Sequence, residues 1–247
     1  MLFSHANQPH DTDAALLKKH GGSVSSTPVI ELQMGHGLPI AFDEGLYPHA
    51  SLGVDCHSNQ AADMLQQMRF ALQVERGIRN QRFLDVKKNP KKLIATVEGA
   101  FNLGTILGAR AVGMEDHIGS LTVGKKADVV IFDMQSPAMV CAAQQDPVAA
   151  IVMHASVQDI ETVIVDGIVR KKDGKLLDLE TTELEGLGGS YKPKIPNGKL
   201  NWKEIAKQLL KSREGIEKKI GQVDFVKAMP AMMEQYHIDP SGFADEV

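Results

Sequence analysis

Ala50-Ser51-Leu52-Gly53-Val54-Asp55-Cys56-His57-Ser58-Asn59 runs directly into a stretch, 60–79, in which Met64, Leu65, Met68, Ala71 and Leu72 recur at helical spacing. An apolar strand that ends in a carboxylate, turns through small polar residues and enters a helix is how β/α barrels present catalytic groups. Asp55 is therefore the first functional candidate. Aspartate is also a preferred helix cap, so the same residue reads equally as the cap of a helix beginning near Asn59. One face of that helix is predicted to be buried, with its methionines as core filler.

Upstream, 1–6 reads as a strand, 11–20 as a helix closed by Gly21-Gly22, and 23–26 as a second strand. Thr27-Pro28 follows, then a loop carrying Glu31 as far as Gly37 and a short helical turn over 39–44. This alternation predicts a parallel sheet built from βα units. A domain that opens on a strand with no turn before it suggests that more chain precedes it.

Downstream, 82–89 is a charged connection, and helices are expected to resume near Pro90, a residue suited to a first turn. Gly99 and Gly104 interrupt the stripe of Val97, Ala100, Phe101 and Ile106 where neighbours approach closely. From Gly119 the pattern changes to strands: 127–133, then a hairpin over 162–170 turning at Asp166-Gly167, with a second turn at Asp173-Gly174 and a short helix over 147–154 between them. Glycine and proline dominate 180–199, in Gly186-Leu187-Gly188-Gly189 and Lys192-Pro193-Lys194-Ile195-Pro196, which reads as a linker. Asn201 and Glu204 fit a capping box ahead of an amphipathic helix carrying Trp202, Ile205, Leu209, Ile216 and Ile220. The last segment is expected to be helical around 225–236, broken at Pro230.

The chain has 247 residues, 43% hydrophobic and 23% charged, enough for a substantial core. A formal charge of −4 and a pI near 6.1 give no electrostatic reason to expect nucleic acid or an acidic membrane as partner. The lysines of the helix near 203–219 alternate with Glu204, Glu214 and Glu217 and read as a solvated face. Small molecules are the default ligands. Two cysteines, Cys56 and Cys141, cannot build a disulfide framework, and no stretch approaches the ~20 apolar residues of a membrane span. A reducing, cytoplasmic setting is expected.

Taken together, Phe3-Ser4-His5-Ala6-Asn7, the segment from Ser26-Thr27-Pro28 to Gly35-His36-Gly37-Leu38-Pro39, and Leu52-Gly53-Val54-Asp55 resemble the later half of the amidohydrolase superfamily. The branch is that of cytosine, guanine and methylthioadenosine deaminases and triazine hydrolases. The run from Gly108 through Met114-Glu115-Asp116-His117-Ile118-Gly119-Ser120-Leu121 to Asp128 is similar to that branch's signature where the barrel returns to a β-sandwich, as are Asp146-Pro147-Val148 and the hairpin near Asp166. Several ordered motifs carry the resemblance where each alone would be weak.

The resemblance implies an α/β protein. Residues 1–118 would be the later strands of a (β/α) TIM-type barrel and 119–178 a β-sandwich part, with 179–200 a linker and 201–247 a helical C-terminal extension. It implies a metal-dependent hydrolase of carbon–nitrogen bonds, expected to be a deaminase of a heterocyclic amine. A divalent metal lowers the pKa of bound water towards ~7, and a neighbouring carboxylate moves protons. His5 would be an imidazole ligand from the fifth strand and Asp55 the carboxylate from the eighth, both ligand and proton carrier; this pair suits zinc or iron. His36 would take up part of the task of a catalytic sixth-strand histidine, whose place falls at Ser26. Glu31, His57 and Asn59 would touch substrate, a heterocyclic amine or amide. Cys56 reads as an inert thiol beside Asp55.

The family's His-x-His pair is absent: none of the nine histidines stands two residues from another. Half a barrel also leaves two unpaired sheet edges and an open apolar interior. Either the chain is a truncated form of a longer enzyme, or a partner or a second copy in a homo-oligomer fills the gap. The alternative from another class is a non-catalytic remnant that persists as a folded or partner-bound protein.

Overall fold

Strand β1 (Leu2–Ser4) pairs in parallel with β2 (Ser23–Ser26), and β2 with β3 (Ala50–Leu52). The register aligns Phe3 with Val24 and Ala50, and Ser4 with Ser25 and Ser51. Because side chains alternate along a strand, these rows face opposite ways. Val24, Ala50 and Leu52 join a core with Leu17, Leu46, Leu72 and Leu103. The other face carries the serine row, with Leu2 beside Ser23. The face expected to be an apolar interior is thus largely hydroxylic, and Ser51 Oγ donates to the Val24 carbonyl at 3.0 Å.

The computed structural model describes residues 1–181 and 198–242. Helix α1 (Asp13–His20) connects β1 to β2 and stops at Gly21, whose left-handed φ of 62° lets its N–H reach the Leu17 carbonyl. After β2 the chain forms α2 (Pro28–Gln33), with Pro28 in its first turn. The expected loop from Glu31 therefore begins only after this helix, which buries Glu31. Residues 39–44 are turns, not a helix, and a 3-10 turn over Tyr47–His49 leads into β3.

Helix α3 (Met64–Asp85) begins four residues later than expected, because Asp63 caps it by accepting from Gln66 N at 2.8 Å. It also runs through the first half of the predicted charged connection. Helices do not resume at Pro90 but at α4 (Val97–Leu103), where Thr96 accepts from Gly99 N at 3.1 Å. Helix α5 (Ile106–Ala111) follows. A Cβ at Gly104 would sit 2.7 Å from Met68 Sδ, and one at Gly99 3.0 Å from Phe42 Cε1, so both glycines mark close helix contacts.

Strands β4 (Val129–Phe132), β5 (Ile160–Val165), β6 (Ile168–Lys172) and β7 (Lys175–Leu176) form an antiparallel sheet in chain order. Its hairpins turn at Asp166-Gly167 (φ 51° and 78°) and Asp173-Gly174 (φ 50° and 72°), the paired left-handed residues that tight hairpins require. Helices α6 (Val140–Gln145) and α7 (Pro147–Met153) lie between β4 and β5; α6 was not foreseen. Arg69 of α3 donates to the Val152 carbonyl at 3.0 Å and the Ala155 carbonyl at 2.6 Å. Met139, Ala150, Val152 and Ala155 belong to the same core as Leu72 and Leu103, so one core runs across residue 118.

Met1–Leu177 forms one compact unit and Asp178–Val247 a second. In the second, β8 (Leu179–Thr181) pairs antiparallel with β9 (Gly198–Leu200). Helix α8 (Trp202–Ile220) starts at a capping box: Glu204 N donates to Asn201 Oδ1 at 3.0 Å and Asn201 N to Glu204 Oε2 at 3.2 Å. Helix α9 (Phe225–Gln235) passes through Pro230 instead of breaking. The carbonyl that Pro230 cannot serve is that of Val226, a residue 84% exposed, where water can take the bond. Residues 182–197 of the predicted linker, with both glycine and proline clusters, lie outside the described residues, as do 243–247.

Candidate active site

Three strand ends meet at one place. β1 ends at Ser4, and His5 continues its ladder, donating N–H to the Ser25 carbonyl at 2.9 Å while turning at φ 67°. β3 ends at Leu52; Gly53 N donates to the Ser26 carbonyl at 2.8 Å, and Asp55 turns at φ 60°. Gly53 is needed here, since a Cβ would lie 2.7 Å from Ser25 Oγ and 3.2 Å from Thr27 Cγ2. The outcome is a His5 Nε2 to Asp55 Oδ2 separation of 3.7 Å, with both side chains partly open to solvent. Asp63 caps α3, so Asp55 is released from the capping role that its sequence allowed.

On its other side His5 Nδ1 lies 3.0 Å from Thr27 Oγ1 and 3.6 Å from Glu31 Oε1. Glu31 is fully buried. Its carboxylate accepts from Ser26 Oγ at 2.8 Å and Thr27 N at 2.6 Å, and Thr27 Oγ1 stands 3.5 Å from Oε1. A buried carboxylate is tolerable only when its oxygens are occupied in this way. Glu31 therefore does not line a substrate pocket, as expected of it, but backs His5 from inside. Thr27 stands in the Ser26-Thr27-Pro28 motif but has no role at the site in the sequence reading; its signal was its place directly after β2.

The His36 ring stands edge-on to His5, centroids 5.1 Å apart. Together with Asn7, Gln8 and Asp13 these histidines border an open depression of about 480 Å³. A larger and more apolar cleft, about 570 Å³, lies between β1 and α1 and is lined by Met1, Phe3, Leu16 and Leu46. Asp55 lines neither of the two, and His5 and His36 line only the depression. His57 and Asn59 sit in the exposed turn after Asp55, where Cys56 Sγ meets Ser58 Oγ at 2.9 Å and Ser58 Oγ donates to Asn59 Oδ1 at 3.4 Å. Neither borders the depression, and neither starts the helix.

Strand order corrects the expected placement of His5. A fifth and an eighth strand have two strands between them, whereas only β2 separates β1 from β3. If β3 is the eighth strand, β2 is the seventh and β1 the sixth. Ser26, on β2, then no longer marks a missing sixth-strand histidine, because His5 occupies that strand.

Two ligands ~2.0–2.2 Å from a tetrahedral ion lie about 3.4 Å apart, near the 3.7 Å seen between His5 and Asp55. The number of donors does not suffice: among the described residues no group of three or more His, Cys, Asp or Glu side chains could hold a metal ion.

The sequence profile of the amidohydrolase family matches residues 1–170. The chain belongs to the amidohydrolase family. Among its amidohydrolase relatives, a 5-methylthioadenosine/S-adenosylhomocysteine deaminase of Acetivibrio thermocellus is 27% identical over 215 residues, 85% of this chain and 43% of the relative. The enzyme of that name from Shouchella clausii is 31% identical over 183 residues, 72% of this chain and 39% of the relative. An S-triazine hydrolase of Gordonia rubripertincta is 28% identical over 189 residues, 75% of this chain and 37% of the relative. The chain thus spans about two-fifths of the length of the curated relatives it matches. An adenosine deaminase from Xanthomonas campestris, solved with bound zinc, superposes on 72% of this chain and 38% of its own, with a TM-score of 0.62 and 23% identity, which shows a common fold. No helix among the described residues is long and apolar enough to cross a membrane.

Proposed function

We propose that residues 1–118 are the last three βα units of an amidohydrolase barrel, strands six to eight, and that the antiparallel sheet is one layer of its β-sandwich. The protein they belong to hydrolyses a carbon–nitrogen bond of a heterocyclic amine, as a deaminase. The observation that carries this reading is the His5–Asp55 pair at the C-terminal ends of two parallel strands, 3.7 Å apart, where barrel enzymes keep their reacting groups.

Asp55 is the ligand this chain would offer to a divalent metal, zinc or iron, with further ligands needed from residues beyond those described. His5, read on the sixth strand, is given a place beside the metal and not the ligand role expected of it on a fifth. When bound, the metal supplies a hydroxide at neutral pH. Asp55 would also carry the proton from the attacking water to the departing amine. His5 would act beside it, presenting Nε2 to the same water. His36, edge-on to His5, would hold the ring and border the substrate. Gln8 and Asn7, at the rim of the depression, have the donors and acceptors that a purine or triazine edge requires.

The test is ammonia release from aminopurines, aminopyrimidines and aminotriazines by the native protein, loaded with zinc. Asp55→Asn is expected to lower turnover by at least ~10³-fold, and His5→Ala by ~10²-fold or more. Turnover unchanged in both variants would overturn the roles given to Asp55 and His5, and none from a protein that carries bound zinc would favour a non-catalytic remnant.

A further inference from the structure

We propose that Glu31, acting through Thr27, fixes which nitrogen of His5 carries the proton, so that Nδ1 is the N–H and Nε2 is left bare toward Asp55. The inference rests on the reading of His5 as a working group of the site. Glu31 and Thr27 are positioning residues in it, not catalytic ones.

The argument is one of hydrogen-bond supply. Glu31 is a fully buried carboxylate, and it accepts from Ser26 Oγ at 2.8 Å and Thr27 N at 2.6 Å. Both carboxylate oxygens thus face donors. His5 Nδ1 lies 3.6 Å from Oε1 and 3.0 Å from Thr27 Oγ1. A lone pair on Nδ1 would point at a buried negative charge, in surroundings where such repulsion is felt strongly. An N–H there is attracted by the carboxylate and donates to Thr27 Oγ1, whose own hydrogen is then free for Glu31 Oε1 at 3.5 Å. With the proton on Nδ1 the chain of partners runs from His5 Nδ1–H to Thr27 and from Thr27 O–H to Glu31. Neutral imidazole has one proton, so Nε2 becomes an acceptor.

This arrangement is the reverse of a pairing in which Nε2–H donates to Asp55. At 3.7 Å the Nε2 to Oδ2 separation is too long for such a bond. Two acceptors facing one another suit a molecule with two O–H bonds, one for each, which is what an attacking water offers. The orienting partner of a histidine fixes its tautomer in the same manner at metal sites and in hydrolytic triads.

The test needs neither metal nor substrate. Nitrogen-15 labelling of histidine in the full chain, at a pH where His5 is neutral, reads the tautomer from long-range proton–nitrogen correlations. The wild type is expected to show an N–H at Nδ1 and a bare Nε2, the opposite of free histidine in water. Thr27→Ser should keep that pattern, and Thr27→Val should shift at least half of the population to the Nε2–H form. A wild type with its proton on Nε2 would overturn the proposal without any variant, and so would a Thr27→Val protein that keeps the wild-type pattern. Neither outcome depends on whether the protein deaminates anything, so loss of the enzymatic reading and loss of this one are separately visible.

Discussion

His5 Nε2 and Asp55 Oδ2 stand 3.7 Å apart because both residues leave their strands through left-handed backbone, at φ 67° and 60°. Without that reversal each side chain would continue the alternation of its strand. For an L-residue other than glycine this conformation costs ~1–2 kcal/mol, less for aspartate, which bonds its own backbone. The fold therefore holds a small strain where it presents its two reactive side chains.

That strain gives substitutions at Asp55 opposite signs. Asp55→Gly removes the left-handed penalty and is expected to raise stability by ~0.5 kcal/mol, while Asp55→Ala lowers it by ~1 kcal/mol. Urea denaturation of both variants checks this. A loss in both would mean that the contacts of the Asp55 side chain outweigh the strain.

Gly119 stands in the connection between α5 and β4 for a reason that Gly113, in the same connection, lacks. Both have positive φ, 86° and 68°. A Cβ on Gly119 would sit 2.6 Å from Ala109 Cβ and 3.1 Å from Ile106 Cα, whereas one on Gly113 meets nothing within 4 Å. Gly119→Ala is expected to cost ~3 kcal/mol and Gly113→Ala ~1 kcal/mol. Thermal unfolding of the two should separate them clearly; equal losses would show that α5 shifts to make room.

Asp159 makes stability depend on acid. Ser136 Oγ donates to it at 2.6 Å, and Ser156 adds its N–H at 2.7 Å and its hydroxyl at 2.9 Å. The Ser136 bond first, then those from Ser156, hold its carboxyl below the usual range against the opposing effect of burial. A carboxyl depressed in the folded state contributes stability that is present above its unfolded pKa of ~3.9 and is lost as pH falls through the folded value. Wild type should therefore exceed Asp159→Asn in urea stability by a constant margin above about pH 5, and the margin should shrink on acidification below about pH 4. A margin independent of pH would remove Asp159 from the acid response.

The parallel strands, the Asp-Gly hairpins and the capping box at Asn201 were legible because each is a local signal: apolar spacing, a turn pair, a cap and its partner. Asp55 was legible as a residue but not as a role, since a carboxylate before a helix fits both a cap and a site; the choice was made eight residues away, when Asp63 took the cap. The strand to which His5 belongs could not be counted from sequence, because the count depends on which strands are neighbours. Glu31 reads as a polar loop residue until α2 forms around it and turns its carboxylate inward. Thr27 belongs to the Ser26-Thr27-Pro28 motif, but its part at the site shows only through what stands on either side of it in space.

Among the described residues, α8 and α9 contain none that is buried. Within their own unit these helices have no buried core among the described residues to hold them shut, so their backbone amides rest on the helix–coil balance, which for a helix of 19 residues lies near zero free energy even with good caps. In deuterated water they exchange through this local opening, while the amides of α3 around Leu72, fully buried, wait for the whole first unit to come apart. The same difference tells a protease where to cut first: after the lysines of α8.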